Sequence, residues 1–176
     1  MIFSNTSLKD AVILEIEKLQ DDRGFFGRTW DEEIFKNKGM NTQIAQCSLS
    51  FNLKKGTLRG MHFQEKPFQE VKIVSCTKGC IFDVIIDLRP NSKTYKQWYG
   101  IELKSDEHKS IYIPKGFAHG FQTLEDNTEV FYQISEFYNP SHSTGIRWND
   151  PLFGIKWPLN NPIISEKDLG WSDFVE

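Results

Sequence analysis

An arginine and a histidine lie close together in the stretch Gly56–Gln64, which reads GTLRGMHFQ. A guanidinium beside an imidazole suits an anionic ligand bound next to an acid–base group. Glycines at positions 56 and 60 leave room for a close approach of backbone or ligand. An ordinary strand with a solvated Arg59 and a hydrogen-bonded His62 would have the same composition, so this stretch alone does not establish any chemistry.

Three further groups of residues could take part in chemistry. His119 follows the turn Pro114-Lys115-Gly116, and a lysine–aspartate pair occupies positions 167–168. Tyr132 and Tyr138 share one face of a strand if that strand is unbroken. Each group also has a plain structural explanation, because histidines satisfy buried carbonyls, tyrosines often lie at the rim of a core, and lysine–aspartate pairs are usually solvated.

The histidine spacing does not match the metal sites of small β-barrels. Such sites need two histidines separated by one residue, together with a glutamate and a distal histidine. Phe63 and Gln64 follow His62, so the second histidine is missing. His108 and His142 lie in polar sequence and are predicted to be surface residues. We expect no bound metal and no cofactor.

The composition predicts one folded domain over residues 1–176. Hydrophobic residues make up 39% of the chain and aromatic residues 14%, which favours a β-rich core or a pocket that stacks flat ligands. The net charge is −3, so the chain lacks the overall basic field of a nucleic-acid-binding protein, and no nucleic-acid partner is expected.

Cysteine usage and hydropathy bear on the cellular compartment. Cys47, Cys76 and Cys80 form no C-x-x-C pair, which argues against a disulfide framework or a zinc site and for reduced thiols. No apolar run is long enough to span a membrane, and the first residues lack the pattern of a signal peptide. We expect a cytoplasmic protein with no membrane partner.

The elements that must position these side chains are mostly strands. Strand patterns cover residues 8–19, 44–51, 56–64, 70–77, 80–88, 98–103, 110–113, 120–124 and 129–136. Strands at roughly ten-residue spacing indicate an all-β sandwich or barrel. One short helix is predicted between Asp31, which can cap it, and Gly39, which can end it. Residues 139–176 are expected to form an irregular tail wrapped on the same domain.

Six motifs in one order resemble a single enzyme family. They are Asp-Asp-Arg-Gly-Phe-Phe (21–26), Leu-Arg-Gly-Met-His-Phe-Gln (58–64), Phe-Asp-Val-Ile-Ile-Asp-Leu-Arg (82–89), Ile-Pro-Lys-Gly-Phe-Ala-His-Gly-Phe (113–121), Ile-Arg-Trp-Asn-Asp-Pro (146–151) and Ile-Ser-Glu-Lys-Asp (164–168). Over residues 8–170 the chain is similar to the dTDP-4-dehydrorhamnose 3,5-epimerase family of nucleotide-sugar epimerases. The resemblance implies a cupin-type double-stranded β-helix (a jelly-roll barrel) with short peripheral helices, a homodimer and a metal-free mechanism.

The reaction implied by the resemblance is epimerisation of a nucleotide-diphosphate-linked 4-keto-6-deoxyhexose at C3, C5 or both. A C–H bond next to a ketone is acidic because the carbanion delocalises into an enolate. The enzyme therefore needs a base on one face, a cation near the oxygen and an acid on the other face. By resemblance, His62 is the base, Asp168 orients it, Lys72 stabilises the enolate oxygen and Tyr132 returns the proton.

The resemblance also implies a substrate-binding set. It comprises Arg23 and Arg59 at the diphosphate, Gln46 and Ser48 lining that site, His119 in the sugar pocket, Tyr138 stacked on the base, and Lys167 near the nucleotide.

Three binding positions depart from the family's usual pattern. Arg28 and Ser143 stand where a glutamate is usual, and Ser48 stands where an asparagine is usual. A carboxylate accepts a hydrogen bond from N3 of thymine or uracil, whereas an arginine suits the acceptors of cytosine. A CDP-linked substrate is therefore one alternative, and neutral change at the rim of the site is another. Inversion of a single centre, or loss of catalysis in a sugar-nucleotide binding module, also stays open.

Strand geometry conflicts with one part of this interpretation. Regular alternation places Arg59 and His62 on opposite faces of their strand, although both should line one site. We therefore predict a bulge or strong twist near Gly60 that re-aims one of them, or an arginine that reaches the phosphates around the sheet edge.

Overall fold

Antiparallel strands dominate the computed structural model, which describes residues 1–175. The strands are β1 (Ile2–Asn5), β2 (Val12–Glu15), β3 (Leu19–Asp21), β4 (Gly24–Phe26), β5 (Gln46–Asn52), β6 (Leu58–Gln64), β7 (Lys72–Lys78), β8 (Cys80–Asp87), β9 (Trp98–Lys104), β10 (Lys109–Ile113), β11 (Phe117–Thr123), β12 (Thr128–Ile134) and β13 (Ser143–Gly145). The helices are α1 (Glu32–Asn37) and α2 (Glu166–Leu169). Within this part of the chain no helix is long and apolar enough to cross a membrane.

The strands form two large sheets that face each other. One sheet has the order β1-β2-β10-β7-β12-β5 and the other β13-β6-β11-β8-β9, while β3 and β4 form a separate hairpin. Alternation along each strand sends every second side chain into the space between the sheets. Residues from both sheets meet there in one apolar cluster that includes Val74, Ile111, Val130, Ile85, Leu103 and Phe121. The all-β prediction is confirmed, and strands β5 to β12 agree with the predicted ones apart from a few residues at their ends.

Helix α1 covers the outer face of the six-stranded sheet. Asp31 caps it, because its carboxylate accepts a hydrogen bond from the Ile34 backbone at 3.0 Å. Phe35 is fully buried in an apolar cluster that contains Ile73. Ile73 lies on the face of β7 opposite to Val74, so α1 packs outside the inter-sheet core. Gly39 follows the helix with a φ of +69°, as the predicted helix end requires.

The predicted strand over residues 8–19 is wrong for most of its length. Only Val12–Glu15, and Leu19 at the start of β3, pair as strand residues. Before them, the Thr6 hydroxyl bonds to the carbonyl oxygens of Leu8 and Ala11 at 3.1 and 3.0 Å, and Asp10 has a φ of +70°. These local bonds turn the chain where the apolar pattern suggested an extended segment. The tail after residue 139 is irregular apart from β13 and α2, as expected.

A bulge interrupts β6 where the sequence predicts an irregularity. His62 pairs with His119 of β11. Arg59 pairs with Phe121, so three steps along β6 (59 to 62) oppose two steps along β11 (119 to 121). His119 and Phe121 share one face of β11, and cross-strand partners project to the same side. Arg59 and His62 therefore project to the same face of the sheet.

Gly60 provides the room for this bulge. Its φ is +137°, a conformation that a residue with a side chain rarely adopts. A Cβ atom on Gly60 would also lie 2.5 Å from Cα of Gly120 on the neighbouring strand. The predicted irregularity near Gly60 is thus confirmed, and it resolves the conflict over the two side chains.

Candidate active site

A cavity of about 230 Å³ brings together residues from several strands and the tail. It is lined by Gln46, His62, Phe63, Gln64, Glu70, Lys72, Ile134, Glu136, Tyr138, Ser143 and Lys167. Predicted site residues make up a large part of this lining. A larger cleft of about 1090 Å³ lies beside α1, but none of the predicted residues lines it. The smaller cavity is therefore the candidate active site.

His62 and Asp168 form a close pair at this cavity. Nε2 of His62 lies 2.7 Å from Oδ1 of Asp168. The histidine side chain is 39% exposed, whereas the aspartate side chain is 7% exposed. Asp168 lies in α2, which is capped by the Ser165 hydroxyl. An exposed imidazole held by a buried carboxylate can take up a proton and be stabilised as the cation.

Several donors keep Asp168 ionised. Burial alone raises the pKa of its carboxyl group, but the opposing effects are larger together. The hydrogen bond from His62 and its charge, the Gly60 backbone N–H at 3.3 Å and the Trp171 indole hold the pKa below its usual value. Asp168 is therefore a carboxylate at neutral pH and acts as an acceptor for the imidazole.

Lys72 places a cation on the same cavity. Its Nζ lies 3.0 Å from Oε1 of Glu70, and the two side chains are only 14% and 7% exposed. The other carboxylate oxygen of Glu70 has no hydrogen-bond partner among the described residues. A cation near a carbonyl oxygen stabilises negative charge that develops there, which is the role predicted for Lys72.

Tyr132 projects from β12 between the two sheets. It pairs with Val74 of β7 and Ser48 of β5, and its ring lies edge-on to His119 with centroids 6.0 Å apart. Burial raises the pKa of Tyr132, and the nearby Asp83 carboxylate raises it further, whereas Arg59 acts in the opposite direction. The net shift is upward, so the phenol keeps its proton at neutral pH and can donate it.

His119 lies deeper than His62, on the neighbouring strand. Its Nε2 is 2.7 Å from Oδ2 of Asp83, and the side chains are 5% and 0% exposed. Oδ1 of Asp83 has no hydrogen-bond partner within residues 1–175. The sequence therefore identified His119, but its carboxylate partner and its contact with Tyr132 are new.

Arg59 is anchored by a side chain that sequence reasoning missed. Nε of Arg59 donates to Oδ1 of Asn52 at 2.8 Å, while the arginine as a whole stays exposed. Ser48 lies exposed on the same strand as Asn52. The bulge at Gly60 turns Arg59 toward the side of the sheet that carries His62, so its free guanidinium nitrogens can meet an anionic ligand.

Two predicted binding residues lie away from the cavity. Arg23 occupies the turn between β3 and β4, where it pairs with Asp21 at 2.6 Å and remains 90% exposed. Arg28 pairs with Asp31 at 2.8 Å and lines a separate cavity of about 220 Å³ together with Phe26. Within one copy of the chain, neither arginine joins His62.

Tyr138 reaches the cavity by a different route from the predicted one. Strand β12 ends at Ile134, so no unbroken strand carries both Tyr132 and Tyr138. Instead, the Tyr138 backbone N–H donates to Oε1 of Gln46 at 2.7 Å, which holds the exposed phenol ring at the rim.

Asp83, Glu70, Asn52 and Trp171 are the site neighbours that the sequence did not identify. Asp83 carries a detectable signal, because it is a carboxylate between apolar residues in the middle of strand β8, and buried charges need a partner. Glu70, Asn52 and Trp171 have no such signal, since their importance depends on contacts across the fold. No group of three or more histidine, cysteine, aspartate or glutamate side chains in residues 1–175 is arranged to hold a metal ion.

Fold and site together define an all-β enzyme of the jelly-roll type, with an exposed histidine paired to an aspartate, a lysine and a half-buried tyrosine. The family described as dTDP-4-dehydrorhamnose 3,5-epimerase matches residues 5–176. The chain belongs to this family and is an epimerase, an enzyme of the isomerase class.

Individual relatives agree with this assignment. The dTDP-4-dehydrorhamnose 3,5-epimerase of Methanothermobacter thermautotrophicus is 44% identical over 99% of this chain and 95% of its own length. The crystal structure of the Bacillus anthracis enzyme, with TDP and PPi bound, superposes with a TM-score of 0.94 at 39% identity and covers 98% of this chain and 99% of that one. This similarity confirms the predicted cupin-type fold.

A second solved relative differs in its activity. A 3'-monoepimerase from Streptomyces bikiniensis, in complex with dTDP-quinovose, has a TM-score of 0.88 at 27% identity. The match covers 96% of this chain and 85% of that one. The same fold therefore occurs in an enzyme named for inversion at a single centre.

Proposed function

We propose that this epimerase inverts both C3 and C5 of a dTDP-linked 4-keto-6-deoxyhexose by removing and returning protons next to the ketone. The observation that carries the proposal is the 2.7 Å contact between His62 Nε2 and Asp168 Oδ1 at a cavity that Lys72 also lines. The names of the relatives, which are 3,5-epimerases with up to 44% identity, support the double inversion.

The first step is removal of a proton by His62. The imidazole takes the proton from the carbon beside the ketone. The electron pair of the broken C–H bond forms a double bond to the carbonyl carbon, and the π electrons of the C=O bond move onto its oxygen, which gives the enolate. Asp168, ionised because its pKa is held low, stabilises the resulting imidazolium. General base catalysis of this kind contributes about 10²–10⁴-fold to rate.

Lys72 supports the enolate oxygen. Its ammonium group is nearly buried, so the charge acts through a medium less polar than water. A cation placed before reaction, where negative charge develops, lowers the barrier without reorganising solvent. Glu70 holds the ammonium in place, which limits the side-chain freedom that a lysine otherwise has.

Tyr132 returns a proton to the opposite face of the carbon. Its raised pKa keeps it protonated until the enolate, a stronger base, accepts the proton. The contact with His119, with ring centroids 6.0 Å apart, limits the movement of the phenol. Protonation from the face opposite to the base inverts the centre.

Solvent deuterium exchange tests this proposal. In D₂O the enzyme should incorporate deuterium at C3 and at C5 of a dTDP-4-keto-6-deoxyhexose, as observed by NMR. Exchange at neither carbon would contradict the enzymatic mechanism and favour a sugar-nucleotide binding module. Exchange at one carbon alone would assign the chain to the mono-epimerases, the activity of its Streptomyces bikiniensis relative.

The nucleotide is tested separately. dTDP is preferred here because the solved relatives carry dTDP or TDP, and because Arg28 is already engaged by Asp31 at 2.8 Å. A thermal-shift titration with dTDP, UDP, CDP and GDP should show the largest stabilisation with dTDP. A larger shift with CDP would support the alternative in which Arg28 reads cytosine.

We also propose a homodimer in which the β3–β4 hairpin of one copy reaches the site of the other. Leu19 and Phe26 on the hairpin are 67% and 69% exposed, and Leu49 and Leu53 on or beside the edge strand β5 are 59% and 66% exposed. Exposed apolar residues in such number are typical of an interface. This arrangement would bring the exposed Arg23 to a diphosphate that it does not reach within its own chain.

Mixing of two inactive variants tests the dimer. Arg23→Ala and His62→Ala should each be defective, but a mixed dimer contains one site with neither change. Co-refolded equal mixtures should recover about a quarter of wild-type activity, because half of the dimers are mixed and one of their two sites is intact. Recovery of no activity would show that Arg23 does not act on a second copy.

A cytoplasmic location is also proposed, on the basis of three free cysteines.

A further inference from the structure

Trp171 contacts the His62–Asp168 pair from the tail. Its indole Nε1 donates to Oδ1 of Asp168 at 3.3 Å, and this is the same oxygen that lies 2.7 Å from His62 Nε2. The indole also lies edge-on to the imidazole, with ring centroids 6.4 Å apart and an interplanar angle of 71°. One carboxylate oxygen therefore receives two donors from fixed directions.

Gly145 makes this arrangement possible. It pairs with His62 across β13 and β6. A Cβ atom on Gly145 would lie 2.6 Å from both Nε1 and Cε2 of Trp171, so a larger residue would displace the indole. The flat ring thus lies directly on the backbone opposite the proposed base.

Residues before and after Trp171 in the chain also make contacts that hold it in place. After it, the Ser172 carbonyl accepts a hydrogen bond from the Arg147 backbone N–H at 3.0 Å, and the Asp173 carboxylate pairs with the Arg147 guanidinium at 2.8 Å. Before it, Nζ of Lys167, a residue lining the cavity, lies 5.7 Å from the centroid of the indole ring. These contacts fix the position of the indole beside the His62–Asp168 pair.

We propose that Trp171 is a positioning residue for the base, acting through Asp168; the inference rests on the proposed role of His62. The hydrogen bond from the indole N–H stabilises the negative charge on Oδ1. The carboxylate therefore attracts the imidazolium less strongly. The hydrogen bond also fixes the oxygen in the direction that His62 requires, and the ring excludes water from one side of the pair. Trp171 does not contact the reacting carbon.

Trp171→Phe tests the role of the N–H, because it keeps an aromatic ring and removes the donor. The rate constant kcat for deuterium exchange should fall about tenfold, with KM changed by less than about twofold. The acid limb of the kcat–pH profile should move to higher pH by about half a unit, since Asp168 with one donor fewer stabilises the imidazolium more strongly. Circular dichroism and urea unfolding establish that the variant is folded.

Trp157→Phe is the matched control. It removes an indole hydrogen bond of 2.8 Å, to the Trp148 carbonyl, at a tryptophan that does not line the cavity. Its kcat and acid limb should equal those of the wild type. Trp171→Leu is a second variant, which also removes the N–H donor and should move the acid limb in the same direction if Trp171→Phe does not fold.

Two results would overturn the inference. The first is a Trp171→Phe enzyme whose kcat and acid limb equal those of Trp157→Phe. The second is a lower kcat with an unmoved acid limb, which denotes a structural role only. His62→Ala is measured alongside, because exchange that persists in that variant contradicts the assigned base itself and not the part played by Trp171.

Discussion

Two histidine–aspartate pairs with the same contact distance occur in different surroundings. Nε2 of His62 lies 2.7 Å from Asp168, and Nε2 of His119 lies 2.7 Å from Asp83. The His62 side chain is 39% exposed, whereas the His119 side chain is 5% exposed. Asp168 comes from the tail helix α2, while Asp83 lies on β8, which is hydrogen-bonded to the strand of His119.

The difference shows that the same two side chains acquire a role from their position. Both oxygens of Asp168 accept hydrogen bonds, and the exposed imidazole beside it opens onto a cavity. Asp83 uses one oxygen, and its histidine is enclosed by strands. A base has to meet substrate, so only His62 is suited to that role, and His119 is suited to holding Tyr132 and the pocket wall. Each variant predicted below changes a residue of one of the two pairs, or a residue in contact with it.

The largest effect is expected from His62→Ala. Deuterium exchange should fall at least about 10³-fold, because the general base is lost. The free energy of unfolding should fall by about 1–2 kcal/mol, because the exposed imidazole contributes little to the core but the nearly buried Asp168 carboxylate loses one of its donors. Exchange is followed by NMR in D₂O, and stability by urea unfolding. Retained exchange would show that another residue, His119 being the first candidate, removes the proton.

A smaller loss is expected from Tyr132→Phe, next to the buried pair. Epimerised product should form about 10²-fold more slowly, because the acid is missing, whereas deuterium wash-in should fall by less than about tenfold. The two rates are measured in one reaction, by the amount of inverted sugar and by its isotope content. Full epimerisation by the variant would mean that Tyr132 is not the acid.

The free energy of unfolding should distinguish the role of Asp83 from that of Asp168. Asp83→Asn should lower the free energy of unfolding by about 1.5–3 kcal/mol, because a fully enclosed histidine loses a charged hydrogen-bond partner. Asp168→Asn is the matched change and should lower stability by less, because His62 is in contact with water, while reducing exchange more. Both values come from urea unfolding. A larger loss of unfolding free energy in Asp168→Asn than in Asp83→Asn would show that the enclosed pair is not the one that stabilises the fold more.

The smallest effect is on the pH dependence of stability. The folded pKa of Asp168 is lowered, so its stabilising contribution is fully present above the unfolded pKa of about 3.9 and is lost as pH falls through the folded value. Wild-type stability should therefore decline more steeply below about pH 4 than that of Asp168→Asn. Equal slopes at low pH would show that the pair does not couple to folding.

Much of this site could be predicted from residue types and order. Strand alternation exposed the conflict between Arg59 and His62, and a glycine between them indicated a bulge, because glycine adopts the positive φ that a bulge uses. Asp31 and Gly39 marked the ends of α1 by capping chemistry that depends only on neighbouring residues. The motifs carrying Arg23, Arg59, His62, His119 and Asp168 indicated the family, which the relatives confirm, and the resemblance then implied the roles of Lys72 and Tyr132.

Local patterns did not predict which side chains meet across the fold. Periodicity assigns a residue to a face of its strand, but the partner on another strand depends on sheet order and register, which are set by contacts distant in sequence. The Asp83–His119 contact, the Glu70–Lys72 pair and the indole of Trp171 on Gly145 are all of this kind.

The sequence by itself determined an all-β chain, the ends of its first helix and an irregularity near Gly60, and its resemblance to the family supplied the candidate reactive side chains. The tertiary structure alone decided that one histidine is exposed at a cavity and the other enclosed, that the tail supplies Asp168 and Trp171 to the first, and that Arg23 lies outside the cavity of its own chain. The physical reason is that residue type sets what a group can do, whereas burial and partners, which set its proton affinity and its access to substrate, arise only when distant segments pack together.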